Sequence, residues 1–166
     1  YARRVPRPAP EPTECPAYSV KGIATHVLGD DLSLLSRQRD GAVQGLVLVA
    51  EKMPGVDFRT LLDAFNDQWV EAARFVSPAM LIALLRFSGE QTLGYYRDVD
   101  PTSLGEPVPM FNPQMGTPSP FWQAIAREFL ERWAHHSQIR RALGHRSFTE
   151  PNLLEVGVRI VASAAG

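Results

Sequence analysis

Residues 119–144 read SPFWQAIAREFLERWAHHSQIRRALG, and their periodicity decides the fold class. Ser119-Pro120 is a helix-start signal, a capping serine followed by proline at the first helical position, where its missing N–H costs nothing. Gly144 supplies the stop, so the spacing predicts one long helix extending to Leu143. Trp122, Ile125, Phe129, Trp133 and Leu143 recur on it as a bulky stripe. Glu131 and His135, four residues apart, leave the roughly opposite side together, sharing their stripe with small Ala124 and Ala142.

Further helices of the same kind lie on either side. Ser19 reads as an N-cap, with Val20, Ile23, Ala24, Val27, Leu34 and Leu35 on one stripe, and that helix runs to about Gln38 and stops before Gly41. Residues 39–56, with Gly41, Gly45, Pro54 and Gly55, read as a loop holding a strand or lid at 46–50. Asp57 caps a helix carrying Leu61, Phe65, Trp69, Ala72 and Phe75/Val76. Ser77-Pro78 restarts the chain into another, marked by Leu81, Leu84, Leu85, Ser88, Thr92 and Tyr95. Residues 98–118, rich in proline, make a long irregular connection, and a final helix over 150–164 starts near Thr149. Nothing alternates at period two. The expectation is an all-α bundle of four or five helices over residues 19–166, behind a proline-rich lead-in over 1–18 that Pro6, Pro8, Pro10, Pro12 and Pro16 keep from being helical.

Composition narrows the function classes. At 166 residues the chain is one ordinary domain by length. A net charge of −1 gives no basic field to recruit nucleic acid or anionic lipid. No apolar run, Leu46 to Ala50 among them, is long enough for a membrane span, and the first residues lack the apolar region of a signal peptide. Cys15 is the single cysteine, so no internal disulfide forms. These features read as a cytoplasmic protein without membrane or nucleic-acid partners.

The residues with chemistry to offer are histidines and carboxylates. A Glu-x-x-x-His pair on one helix, here Glu131 and His135, can give two ligands to a divalent metal, with a third from a neighbouring helix. His26 is the only histidine on another predicted long helix, with Asp30, Ser33 and Arg37 on adjoining turns. Two histidines and one carboxylate leave positions open for water or substrate, as a catalytic zinc site requires. The same pair also reads as a helix-stabilising surface contact, and His26 as a solvated edge. Either Glu131 and His135 face solvent, or the aromatic stripe packs on a second subunit while they line the bundle interior. His136 lies nearer the aromatic face and reads as a core or interface histidine; His145 follows the helix end, where its charge suits the dipole. Gly-rich phosphate loops, Cys-x-x-Cys and His-Glu-x-x-His are absent from the sequence.

Three stretches carry a resemblance. Ser19-Val-Lys-Gly-Ile-Ala-Thr-His26-Val-Leu-Gly-Asp-Asp-Leu resembles the histidine helix of the DinB-like superfamily, and more closely the N-terminal domain of mycothiol-dependent maleylpyruvate isomerases. Glu131-Arg-Trp-Ala-His135-His-Ser-Gln-Ile-Arg140-Arg-Ala-Leu-Gly144 resembles that family's metal helix. Cys15-Pro-Ala-Tyr18 is similar to the family's Cys-Pro-Gly-Trp entry, with alanine and tyrosine substituted. The resemblance spans roughly residues 13–164 and implies a DinB-like helix bundle whose metal ligands are His26, Glu131 and His135, with His136 outside the triad. It also implies that the stripe opposite the tryptophans faces inward. Family bundles begin with a helix before the Cys-Pro segment, where this chain has only residues 1–14, so that helix is absent or lies upstream. The isomerases also carry a C-terminal domain, and this chain stops at Gly166.

The resemblance further implies a metal, zinc, and a low-molecular-weight thiol, mycothiol, as cosubstrate. A divalent cation favours thiolate over thiol, and the activated sulfur adds to an electrophilic carbon of a small-molecule substrate for transfer, conjugation or isomerisation. Asp30 and Arg37 are the candidates to orient a ligand group, and Met110, Phe111 and Trp122 to wall the pocket. The rival expectation is a non-catalytic DinB-like metal-binding or interaction module, a homodimer whose important surface is the aromatic stripe.

Overall fold

A computed structural model of the chain describes residues 12–112 and 116–165. Among these, six α-helices appear: α1 (Val20–Leu34), α2 (Gly45–Ala50), α3 (Phe58–Ala72), α4 (Pro78–Asp98), α5 (Phe121–Ala142) and α6 (Pro151–Ala165). The architecture is the all-α bundle expected, with one helix more than counted. A wider π-helical turn, Leu35–Arg39, prolongs α1 to about the predicted end. Ser19, Asp57 and Ser77 cap their helices as expected, each side chain accepting a backbone N–H from Gly22, Thr60 and Met80 respectively.

The central helix is α1, which packs against α3, α4 and α5. Its Ile23, Val27, Leu28 and Leu34 are buried. Gly29 lets α3 approach: a Cβ there would stand 2.4 Å from Cγ of Trp69, so only glycine fits. Polar groups join the helices as well. Asp31 of α1, 2% exposed, accepts the Ser88 hydroxyl at 2.7 Å and the Thr92 hydroxyl at 3.2 Å from α4, and also binds the Arg132 guanidinium from α5. A buried carboxylate persists only when so satisfied.

Two local expectations are corrected. Residues 46–50 are neither loop nor strand but the body of α2, whose Gly45 lies against the Phe65 ring of α3. A five-residue apolar run does not distinguish strand from helix, and among the described residues no strand lies beside it to pair with. Ser119 does not cap α5. Ser119–Pro120 (β2) pairs antiparallel with Leu104–Gly105 (β1), and the Ser119 hydroxyl accepts the Val108 N–H at 3.1 Å. The free N–H groups of Phe121 and Trp122 donate instead to the carbonyls of Ser103 and Pro101, at 2.8 and 2.9 Å. The connection 98–118 is otherwise irregular as expected, with 113–115 outside the described residues, as are Pro6, Pro8 and Pro10.

The inward face of α5 is its small and charged stripe. Phe121, Ala124 and Glu128 are buried, while Trp122 is 41% exposed and Leu143 exposed. Phe129 and Trp133 are half-buried within this single chain. On another side of α5, Gly157 of α6 lies against Leu130.

Candidate metal centre

His26 comes from the middle of α1, and Glu131 and His135 from adjacent turns of α5. One ligand atom from each of the three lies within 4.8 Å of the others. The Nε2 of His135 stands 3.3 Å from a Glu131 oxygen, and the two imidazoles meet edge to face with centroids 4.8 Å apart. Two imidazole nitrogens and a carboxylate oxygen at this separation fit a borderline-soft divalent ion such as zinc, with coordination left open.

Neighbouring groups orient each of them. The Nδ1 of His135 lies 2.9 Å from the side-chain oxygen of Gln138, one turn on. His26 interacts with the Asn66 side chain of α3, and Tyr18 stacks on its other side with planes 14° apart. The Tyr18 hydroxyl donates to Asp67 at 2.9 Å, so the Cys15–Tyr18 segment forms part of the surroundings of the centre. Arg127 lies 3.9 Å from Glu131 and 3.6 Å from Asp30.

Electrostatics follow from this geometry. The hydrogen bond with His135 holds Glu131 below the usual glutamate value. Burial lowers the pKa of His26, reinforced by His135. Burial also acts to lower His135, but the hydrogen bonds to Glu131 and Gln138 outweigh it and raise its value. Glu128, 3% exposed between Arg127 and Arg132, is pushed up to about 7, chiefly by burial and then by the charge of Asp30. Asp30, Asp31, Glu128 and Glu131 thus bring four carboxylates against the two guanidiniums of Arg127 and Arg132. Fully ionised, this connected cluster carries two negative charges in excess, the amount one divalent cation neutralises.

A cavity of about 380 Å³ opens beside the centre. His26 and Glu131 line it, as do Asp30 and Arg37, so the structure gathers these four predicted residues at one hollow. Arg37 is not free there: its Nε binds both oxygens of Glu106, at 2.7 and 2.9 Å, and Gln38 donates to the same carboxylate. Leu62, Phe65 and Val108 supply apolar wall. Met110 lines the cavity as expected, but Phe111 and Trp122 do not; their rings pack on each other, 5.3 Å apart.

One further expectation changes in part. Of the core and interface readings of His136 the core one fails: it is exposed against Phe148, because the side of α5 it occupies turns outward. Arg141 reaches back to Glu14 at 2.5 Å and ties the lead-in to the end of α5. The Asp31–Arg132–Glu128 network was not foreseen from the sequence. The available signal was an Asp-Asp pair inside an apolar helix, with Ser88 and Thr92 four apart on a core stripe.

The chain matches the mycothiol maleylpyruvate isomerase N-terminal domain family over residues 5–140, most of its length, and belongs to that family, a DinB-like one. Neither a curated protein nor a solved structure matches it significantly. Among the described residues no helix is long and apolar enough to cross a membrane.

Proposed function

We propose that this member of the mycothiol maleylpyruvate isomerase N-terminal domain family is a metal-dependent enzyme that uses a low-molecular-weight thiol to transfer to, or isomerise, a small electrophilic substrate. The observation that carries the reading is the convergence of His26, Glu131 and His135 within 4.8 Å at the wall of a cavity large enough for a small molecule. The family's link to mycothiol supports that thiol as cosubstrate. Zinc, when bound, supplies the Lewis acidity that makes a thiol nucleophilic near neutral pH.

The chain's own residues do the rest. His26, Glu131 and His135 hold the ion from two helices, fixing its place relative to the cavity. Leu62, Phe65 and Val108 exclude water from one side, which strengthens every charge interaction inside. Asp30 and Arg37 present polar groups on the other side and orient the reacting molecule. Replacing Arg37 by alanine is therefore expected to raise KM while leaving metal content unchanged, checked by steady-state kinetics beside elemental analysis. We read residues 19–166 as the metal-binding bundle domain and 1–18 as its lead-in.

The test is an S-conjugation assay on zinc-loaded protein, with mycothiol and a bimane or quinone electrophile, beside a Glu131→Ala/His135→Ala variant. Thiol-dependent turnover that vanishes in the variant supports the reading; turnover equal in both proteins contradicts it.

A second reading, a non-catalytic module that pairs with a second copy, draws on α6 rather than on the aromatic stripe. Leu154, Val158 and Val161 share one face of that helix, and Val158 is 67% exposed. A solution mass of two chains, with no thiol-dependent turnover, favours it.

A further inference from the structure

Beside the ring of His26 from α1, His135 has two hydrogen-bonding partners on its own helix. Glu131 and Gln138 stand four residues before it and three after, so both fall on the stripe that α5 turns inward. Gln138 presents its side-chain oxygen to Nδ1 at 2.9 Å. An amide oxygen only accepts, so the hydrogen in this contact belongs to the imidazole: Nδ1–H donates to Gln138 Oε1. In the ion-free chain Nε2–H points at Glu131, 3.3 Å away; a ring that keeps its proton at Nδ1 offers the Nε2 lone pair to an ion at that place. Without the Gln138 acceptor, the neutral ring divides between its two tautomers, and the one with its proton at Nε2 has no lone pair there for the ion.

We propose that Gln138 is the positioning residue of the centre, fixing His135 in the Nδ1–H tautomer so that Nε2 faces Glu131 and the ion. The inference rests on the reading of His26, Glu131 and His135 as ligands, and adds a residue that is not itself a ligand. Outer partners of this kind are worth about 10- to 100-fold in metal affinity.

The experiment is a titration of metal-free protein with Co2+ and, against a competing chelator, with Zn2+, for wild type, Gln138→Leu, Gln138→Met and Gln138→Glu. Glutamate keeps an accepting oxygen; leucine and methionine do not. Long-range 1H–15N spectra of the imidazoles report the tautomer of His135 directly, and far-UV circular dichroism checks the fold of each variant. The expected result is affinity about 10- to 100-fold weaker in the apolar variants, an altered Co2+ absorption band and a mixed His135 tautomer. Gln138→Glu, which keeps an oxygen to accept from Nδ1–H, is expected to stay within a few-fold of wild type. Wild-type affinity, band and tautomer in a folded apolar variant would overturn the role of Gln138 while leaving the ligands in place. Wild-type protein that takes up neither ion would overturn the ligand reading, and this inference with it.

Discussion

The imidazole of His26 on α1 meets that of His135 on α5 edge to face, 82° between planes and 4.8 Å between centroids. Two histidines from helices far apart in sequence come this close only because Ala124 and the paired charges of α5, rather than its tryptophans, face α1. An ion held by both rings and Glu131 is then a cross-link between two helices of the bundle.

That cross-link has a thermodynamic consequence. An ion that binds the folded chain alone, at a free concentration one hundred times its Kd, adds about 2.7 kcal/mol. For a domain of this size the melting temperature rises by roughly 5–10 °C. Thermal melts with and without Zn2+ are expected to show this rise in wild type and to lose it in His26→Ala.

The buried link from Asp31 to Arg132 carries much of the α1–α4–α5 junction. Asp31→Ala leaves Arg132 without a principal partner, and the Ser88 and Thr92 hydroxyls without their acceptor. The expected loss is about 3–5 kcal/mol, against about 1–3 kcal/mol for Ser88→Ala, which spares the charge pair. Urea unfolding of the two variants separates these values.

How legible this was depends on whether the cause is local. Capping chemistry at Ser19, Asp57 and Ser77 acts within one turn, so those helix starts could be read from the residues themselves. Ser119 looks identical in sequence, but its hydroxyl is taken by Val108 and the carbonyls that cap α5 come from the loop before it. The facing of α5 also eludes a helical wheel. Apolar bulk marks Trp122 and Phe129 as core, whereas the interior takes Glu128, Glu131 and His135 because each has a charged or hydrogen-bonding partner. The helix Gly45–Ala50 owes its place to Phe65 and the rest of α3, which a five-residue run does not reveal.

Backbone approach at Gly29 gives a contrast of sign. Gly29→Ala forces a Cβ into the Trp69 side chain and is expected to cost about 1–3 kcal/mol or more. Gly89→Ala, on α4 with open space at its Cβ, is expected to stabilise by about 0.5–1 kcal/mol. Denaturation midpoints that move in opposite directions check both.

Glu128 contributes to the pH dependence. Its folded value, about 7, lies above its ordinary 4.5, so between these values the folded chain holds a proton that the unfolded chain has lost. Stability from this group is fully present below pH 4.5 and is lost as pH rises through 7. Melting temperature of the metal-free protein is therefore expected to fall between pH 5 and 8, and Glu128→Gln to flatten that slope. A slope unchanged in the variant would assign the dependence to another group.

The most direct test of the account is metal content. Protein purified without chelator or added metal, and the same protein after zinc loading and desalting, is analysed for bound elements beside Glu131→Ala/His135→Ala. The account predicts close to one divalent ion per chain in the loaded wild type, and none retained by the double variant. No uptake by wild type, or equal retention by both, would contradict it.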